Sequence, residues 1–352
     1  MPSKCITCLC LVLFLLACQG TTPLIPATQA SSTTTTLVPQ TLTPSPVIPT
    51  PEPVLTYATP TIAPSKTPTS TPIIPTFVSF AAATTTPSPS TFPLQSLGLS
   101  YNGHPLEVYK FGDGDTILIW VGGIHGGYEW NTIILAYTAI DYFQANPQKI
   151  PPNITLYIIP SANPDGQFLV TGKEERFTAN DVSADTAPGR FNGRNVDLNR
   201  NWDCQWQAEG LWRNQPVSAG TDPFSEPETQ LLRDFFLAQQ PSLVIFWHSA
   251  VNGVFTAGCP DLYEPAWQLA TVYGMASHYP VYERFSYYTI TGDASDWLAI
   301  MGIPSFSVEL TTHESIDWEQ NLADILAILQ YYAPPSMPPG FQPVGGTGFP
   351  PS

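Results

Sequence analysis

Four short apolar runs mark the middle of the chain, each followed by a break. They read T-I-L-I-W-V at 116–121, I-T-L-Y-I-I-P at 154–160, S-L-V-I-F-W at 242–247 and S-F-S-V-E-L at 305–310. Runs of this length, rich in β-branched and aromatic residues, predict buried strands. Between them the apolar spacing changes to that of a helix, over 133–142, 226–239 and 322–332. The second of these sets Leu231, Leu232, Phe235 and Phe236 on one face, behind a cap-like Ser225 and a proline at its start. Residues 161–166, S-A-N-P-D-G, read as a turn. Strands separated by helices predict an α/β core with a largely parallel sheet covered on both faces.

The most informative stretch follows the first strand. It stops at Gly122-Gly123 and continues Ile124-His125-Gly126-Gly127-Tyr128-Glu129 toward the first predicted helix. An imidazole and a carboxylate thus sit on a loop at a strand end, where α/β proteins place their sites. Both types ligate zinc, and a catalytic zinc takes three protein ligands and keeps one position open. Glu129 has no acidic rival between His125 and Asp141. The third ligand expected is His248, which closes the 242–247 strand and precedes the small polar Ser249. A single histidine at a strand end is more often structural, and it is the His125/Glu129 loop that shifts the balance. His104 falls in a polar turn, His278 just before a proline, and His313 beyond the strand that carries Glu309.

Composition frames this core. Residues 19–92 are mostly Thr, Pro, Ser and Ala with almost no charge, and most of the 39 prolines lie there and at the C-terminus. Such a segment buries too little apolar surface to offset its ordering entropy, so it is expected to be an extended stalk. The globular domain is expected over 93–333, followed by a Pro/Gly tail over 334–352. Residues 1–18 combine Lys4, an apolar stretch and Leu15-Leu16-Ala17-Cys18. They resemble a bacterial lipoprotein signal, too short to span a bilayer comfortably, with Cys18 as the lipidated residue. An exported domain at the outer face of the cytoplasmic membrane, held there only by its lipid, is the expectation. Of the six cysteines, Cys204 and Cys259 then remain, and in an exported protein they are expected to form a disulfide. The net charge of −16 argues against a nucleic-acid partner.

Several blocks, in order, resemble the zinc metallocarboxypeptidase family, which holds pancreatic carboxypeptidase A and bacterial peptidoglycan-trimming relatives. They are the His125/Glu129 loop, Asn163-Pro164-Asp165-Gly166, the run from Asn195 to Trp202, Phe224-Ser225-Glu226-Pro227-Glu228-Thr229, His248-Ser249, Gly292-Asp293-Ala294-Ser295-Asp296-Trp297, and Val308-Glu309-Leu310. Each alone is weak, and together they span most of residues 95–333. The resemblance implies a mixed, mostly parallel eight-stranded sheet flanked by helices on both faces. It implies one zinc ion per chain, held by His125, Glu129 and His248, and a monomer acting on peptides or muropeptides with a free C-terminal carboxylate. Glu309 resembles the family's general base. Arg190, ahead of its rivals Arg194 and Arg176, resembles the arginine that polarises the scissile carbonyl. Arg200 with Asn199 resembles the clamp for the terminal carboxylate, a role that suits a guanidinium fork. Tyr288, with Tyr287 as competitor, resembles the mobile tyrosine over the substrate, and Ser295 occupies the position lining the side-chain pocket.

Two departures stand out. The family's His-x-x-Glu is here His125-x-x-x-Glu129, and Tyr128 replaces the arginine that digestive members carry before the glutamate. Serine at 295 commits to no particular C-terminal side chain. The competing expectations are a muropeptide peptidase or an amidase on the same site, and a non-catalytic surface lipoprotein that holds peptide.

Overall fold

A computed structural model describes residues 94–334. The signal segment with Cys18, the Thr/Pro stretch and the C-terminal tail lie outside the described residues. The described residues form ten strands: β1 (Leu94–Leu99), β2 (Pro105–Phe111), β3 (Thr116–Val121), β4 (Ile154–Ile159), β5 (Glu209–Trp212), β6 (Gln215–Ser218), β7 (Leu243–Ser249), β8 (Gly253–Thr256), β9 (Val281–Tyr282) and β10 (Ser305–Leu310). Six α-helices join them: α1 (Trp130–Ala145), α2 (Pro164–Thr171), α3 (Pro227–Gln239), α4 (Glu264–Ser277), α5 (Ala294–Ile300) and α6 (Trp318–Tyr332).

Eight strands form one mixed sheet in the order β1-β2-β4-β3-β7-β10-β8-β9, and β5-β6 form a separate hairpin. The central pairs β4-β3, β3-β7 and β7-β10 are parallel, as is β8-β9. The β1-β2, β2-β4 and β10-β8 pairs are antiparallel. This is the mixed, helix-flanked sheet expected, with parallel pairing concentrated at its centre.

Side-chain alternation explains why both faces are covered. Leu118, Trp120, Leu243, Ile245, Trp247, Phe306 and Val308 point to one face, where Ile133, Ile140, Tyr273 and Ile325 pack from α1, α4 and α6. Ile119, Val121, Val244 and Phe246 point to the other, against Leu232, Phe236, Trp297 and Leu298 from α3 and α5. A strand apolar at every position is the consequence of two buried faces.

Three local expectations change. The stretch read as a turn at 161–166 opens helix α2, because Pro164 suits the first helical position and the Asn163 side chain accepts from the Gly166 amide at 2.9 Å. Ser225 does not cap α3, whose N-cap is Glu226 with no side-chain cap bond, and the Ser225 hydroxyl donates to Glu226 instead. His248 lies within β7 rather than beyond its end. Cys204 and Cys259 are bonded as expected, with Cα atoms 6.3 Å apart.

Candidate active site

At the carboxyl end of β3 the chain turns through Gly126–Glu129, a single 3-10 turn, before α1 begins at Trp130. Gly126 has φ +45, and a Cβ there would lie 2.5 Å from the Gly189 carbonyl oxygen, so only glycine fits. The tight turn takes up the extra residue between His125 and Glu129 and brings His125 Nδ1 to 2.8 Å from Glu129 Oε1. From β7, His248 places its Nδ1 3.4 Å from His125 Nδ1 and 3.3 Å from Glu129 Oε2.

This trio fits a metal. Ligands about 2.0–2.1 Å from a tetrahedral zinc stand about 3.3 Å from one another. Two imidazole nitrogens and a carboxylate converge at that spacing, all buried, and they are the one such cluster found among the described residues. Glu129 Oε2 has no hydrogen-bond partner. Burial, with the nearby Arg190 charge, pulls His125 down to about 4, which favours the neutral, ligating imidazole. Burial works against ionising Glu129, yet the two histidines hold its carboxyl well below the usual range.

Asp197 stands behind the trio and was given no role by sequence reasoning. It is fully buried, with Oδ1 3.6 Å from His125 Nε2 and Oδ2 accepting from Arg190 Nε at 2.8 Å. The Arg190 Nη1 atom lies 3.8 Å from Glu129 Oε1, and its Nη2 is buried with no partner. The rivals are elsewhere: Arg194 pairs with Glu226 and Arg176 with Asp141. Glu309 on β10 is paired in register with His248 on β7. Burial and the Glu129 charge push it up to about 7, and its Oε2 is buried without a partner.

Beside these groups opens a cavity of about 320 Å³, lined among others by His125, Arg200, His248, Tyr288, Ser295 and Glu309. Arg200 is buried and donates to the carbonyls of Leu211 and Asn199, with no carboxylate partner among the described residues. The Asn199 amide is committed to the Asp293 carboxylate at 2.7 Å and to the Ala294 amide at 3.0 Å. It therefore braces the Asp293–Ala294 turn of the cavity wall. Tyr288 lines the cavity, whereas Tyr287 is 61% exposed. Ser295 approaches Ser307 at 3.3 Å.

Two further carboxylates line the cavity and were missed. Asp293 caps α5 by accepting from the Ser295 and Asp296 amides. Asp296 accepts from the Gly258 amide at 2.9 Å, and burial plus the Asp293 charge push it up to about 7. Both sit in the block quoted for the resemblance, but an aspartate before a short helix reads first as a cap.

A sequence model of the zinc carboxypeptidase family matches residues 77–320, more than half the chain. This chain belongs to the zinc carboxypeptidase family. Carboxypeptidase B of Astacus astacus is 30% identical over 195 residues, covering 51% of this chain and 62% of that protein. Human carboxypeptidase O is 26% identical over 243 residues, covering 61% and 63%. The chain thus spans just under two thirds of the length of these relatives. Bovine thrombin-activatable fibrinolysis inhibitor, solved in complex with a tick carboxypeptidase inhibitor, shares the fold. Its TM-score is 0.53 at 22% identity, over 68% of this chain and 89% of that one.

Proposed function

We propose that the domain is a zinc-dependent metallocarboxypeptidase that hydrolyses the last peptide bond of peptides with a free C-terminal carboxylate. His125, Glu129 and His248 would hold the ion. When bound, zinc supplies a Lewis acid that brings the pKa of water close to neutrality. Glu309 takes the proton of the attacking water at its unpartnered Oε2 and returns it to the leaving amine as the C–N bond breaks. Arg190 Nη2 donates to the oxyanion that develops on the scissile carbonyl. Arg200 receives the terminal carboxylate, Asn199 fixes the wall beside it, and Tyr288 covers the bound residue. Ser295 meets the departing side chain.

The observation that carries this reading is the placement of two buried, unpartnered atoms on side chains of opposite charge type, Glu309 Oε2 and Arg190 Nη2, around a complete set of candidate ligands. A complete set of ligands and base counts against a non-catalytic binder. A muropeptide peptidase or amidase would use the same groups, and the buried Arg200 without a carboxylate partner favours a free peptide end. The Cys204–Cys259 bridge supports an exported, oxidising setting, with Cys18 as the lipid attachment. Paired substrates test the proposal: the zinc-loaded protein should cleave peptides with a free C-terminus and leave their C-terminal amides intact. Equal cleavage of both would refute the clamp.

A further inference from the structure

The cavity described above leaves half of the substrate unaccounted for. Its clamp and side-chain pocket take the departing residue, so the acyl part must run out the other way, past Arg190. There the wall is aromatic. The Trp212 ring centroid lies 5.0 Å from that of Tyr128, and the Arg190 guanidinium stands 4.9 Å from the Trp212 ring and 5.9 Å from the Tyr128 ring. None of Tyr128, Trp212, Arg213 or His313 lines the cavity itself.

This shelf is tied firmly to the metal trio. Tyr128 immediately precedes Glu129. Its hydroxyl meets His313 Nε2 at 3.2 Å, and His313 Nδ1 meets the hydroxyl of Ser249, the residue after His248, at 3.0 Å. The β5-β6 hairpin that carries Trp212 is fixed from below, where Arg200 donates twice to the Leu211 carbonyl.

At the hairpin tip stand Arg213 and Asn214, with φ +49 and +63. Both central residues of such a two-residue turn need positive φ, which favours Asn and Gly and strains an arginine. The exposed Arg213 guanidinium lies 5.7 Å from the Trp212 ring and 5.9 Å from the Tyr128 ring. Among the described residues it has no carboxylate partner, in a chain with 28 acidic and 12 basic residues. A guanidinium resting on ring faces keeps the donors at its edge free for a bidentate acceptor.

We propose that Arg213, on the shelf of Trp212 and Tyr128, recognises a carboxylate on the residue at the acyl side of the scissile bond. The subsite rests on the carboxypeptidase reading for its polarity, and its recognition chemistry is independent of turnover. The site therefore selects acidic penultimate residues over their amides.

Binding tests this directly. The full metal-loaded chain carrying Glu309→Gln is titrated calorimetrically with two sets of N-acetylated tripeptides, matched in their C-terminal residue and bearing Glu or Gln at the penultimate position. The Glu set should bind about fivefold more tightly at low salt, the worth of one partly exposed ion pair, and the ratio should shrink as salt rises. Adding Arg213→Asn, which suits the positive φ and keeps the turn, should bring the ratio to about one, and Arg213→Lys should leave part of it. Equal binding of the two sets, a ratio that survives Arg213→Asn, or no binding of either set would overturn the subsite. Turnover of the same peptides by the chain with Glu309 intact is read separately. Its absence, with the Glu preference retained, would sink the catalytic proposal and leave the subsite standing.

Discussion

Glu309 and His248 are register partners on adjacent parallel strands, β10 and β7. Along each strand they share the face that carries Val244 and Phe246, opposite the face of Trp247 and Val308. The sheet itself, rather than a loop, fixes the distance from the proposed base to the proposed ligand. Glu309→Gln keeps that geometry and removes the base. Turnover should fall at least about 10³-fold, with zinc content unchanged by atomic absorption. Loss of zinc in this variant would move Glu309 from base to ligand.

Asp197 serves two partners at once, His125 and Arg190. Carboxylates behind metal-bound histidines typically set ligand orientation and affinity. Asp197→Asn should weaken zinc about tenfold or more in competition with a chromophoric chelator, and should lower kcat because Arg190 loses its ionic anchor. Unchanged affinity would leave Asp197 as the anchor of Arg190 alone.

The Cys204–Cys259 bridge spans 55 residues of chain and ties the loop after Arg200 to the cavity wall at Gly258 and Pro260. Closing a loop of that length is worth about 4 kcal/mol on the chain-entropy scale. The double variant Cys204→Ala/Cys259→Ala should lose stability of that order in denaturant titration, and should lose more affinity for substrate than for metal. Equal stability with and without the bridge would contradict this.

Asp324 is buried on α6, and neither carboxylate oxygen has a hydrogen-bond partner of good geometry. Burial pushes it up to about 8, with Ser277 only partly offsetting this. The folded chain therefore holds this proton where the unfolded chain has released it. Stability should fall as pH rises from about 4 to about 8 and then level off, by a few kcal/mol. Asp324→Asn should flatten the profile and stabilise the fold at pH 8 more than at pH 5, as read from thermal melts. A profile unchanged by the substitution would show the charge to be accommodated by other means.

The central strands were legible because burial on both faces makes them apolar throughout: β3, β4 and β10 match the runs read from sequence to within a residue. The outer strands β1, β2, β8 and β9 were not, since short or half-exposed strands leave no continuous apolar signal. The hairpin β5-β6 was hidden because its turn is Arg213-Asn214 rather than a glycine-containing pair. His125, Glu129 and His248 were legible as ligand types at strand ends. Asp197, Asp293 and Asp296 were not, because their roles depend on residues far away in sequence: Asn199 reaches Asp293 across 94 positions and Asp296 meets Gly258 across 38. Asn199 was expected at the clamp, and its amide is committed instead to Asp293 and Ala294 of the cavity wall.

The most direct test is mass spectrometry of products from a mixed pool of linear peptides and muropeptides, incubated with the zinc-loaded protein and with a chelated control. Single C-terminal residues should be lost stepwise, with the loss abolished by chelation, restored by zinc, and faster where the penultimate residue is acidic. Internal cleavage, or trimming that persists without metal, would contradict it.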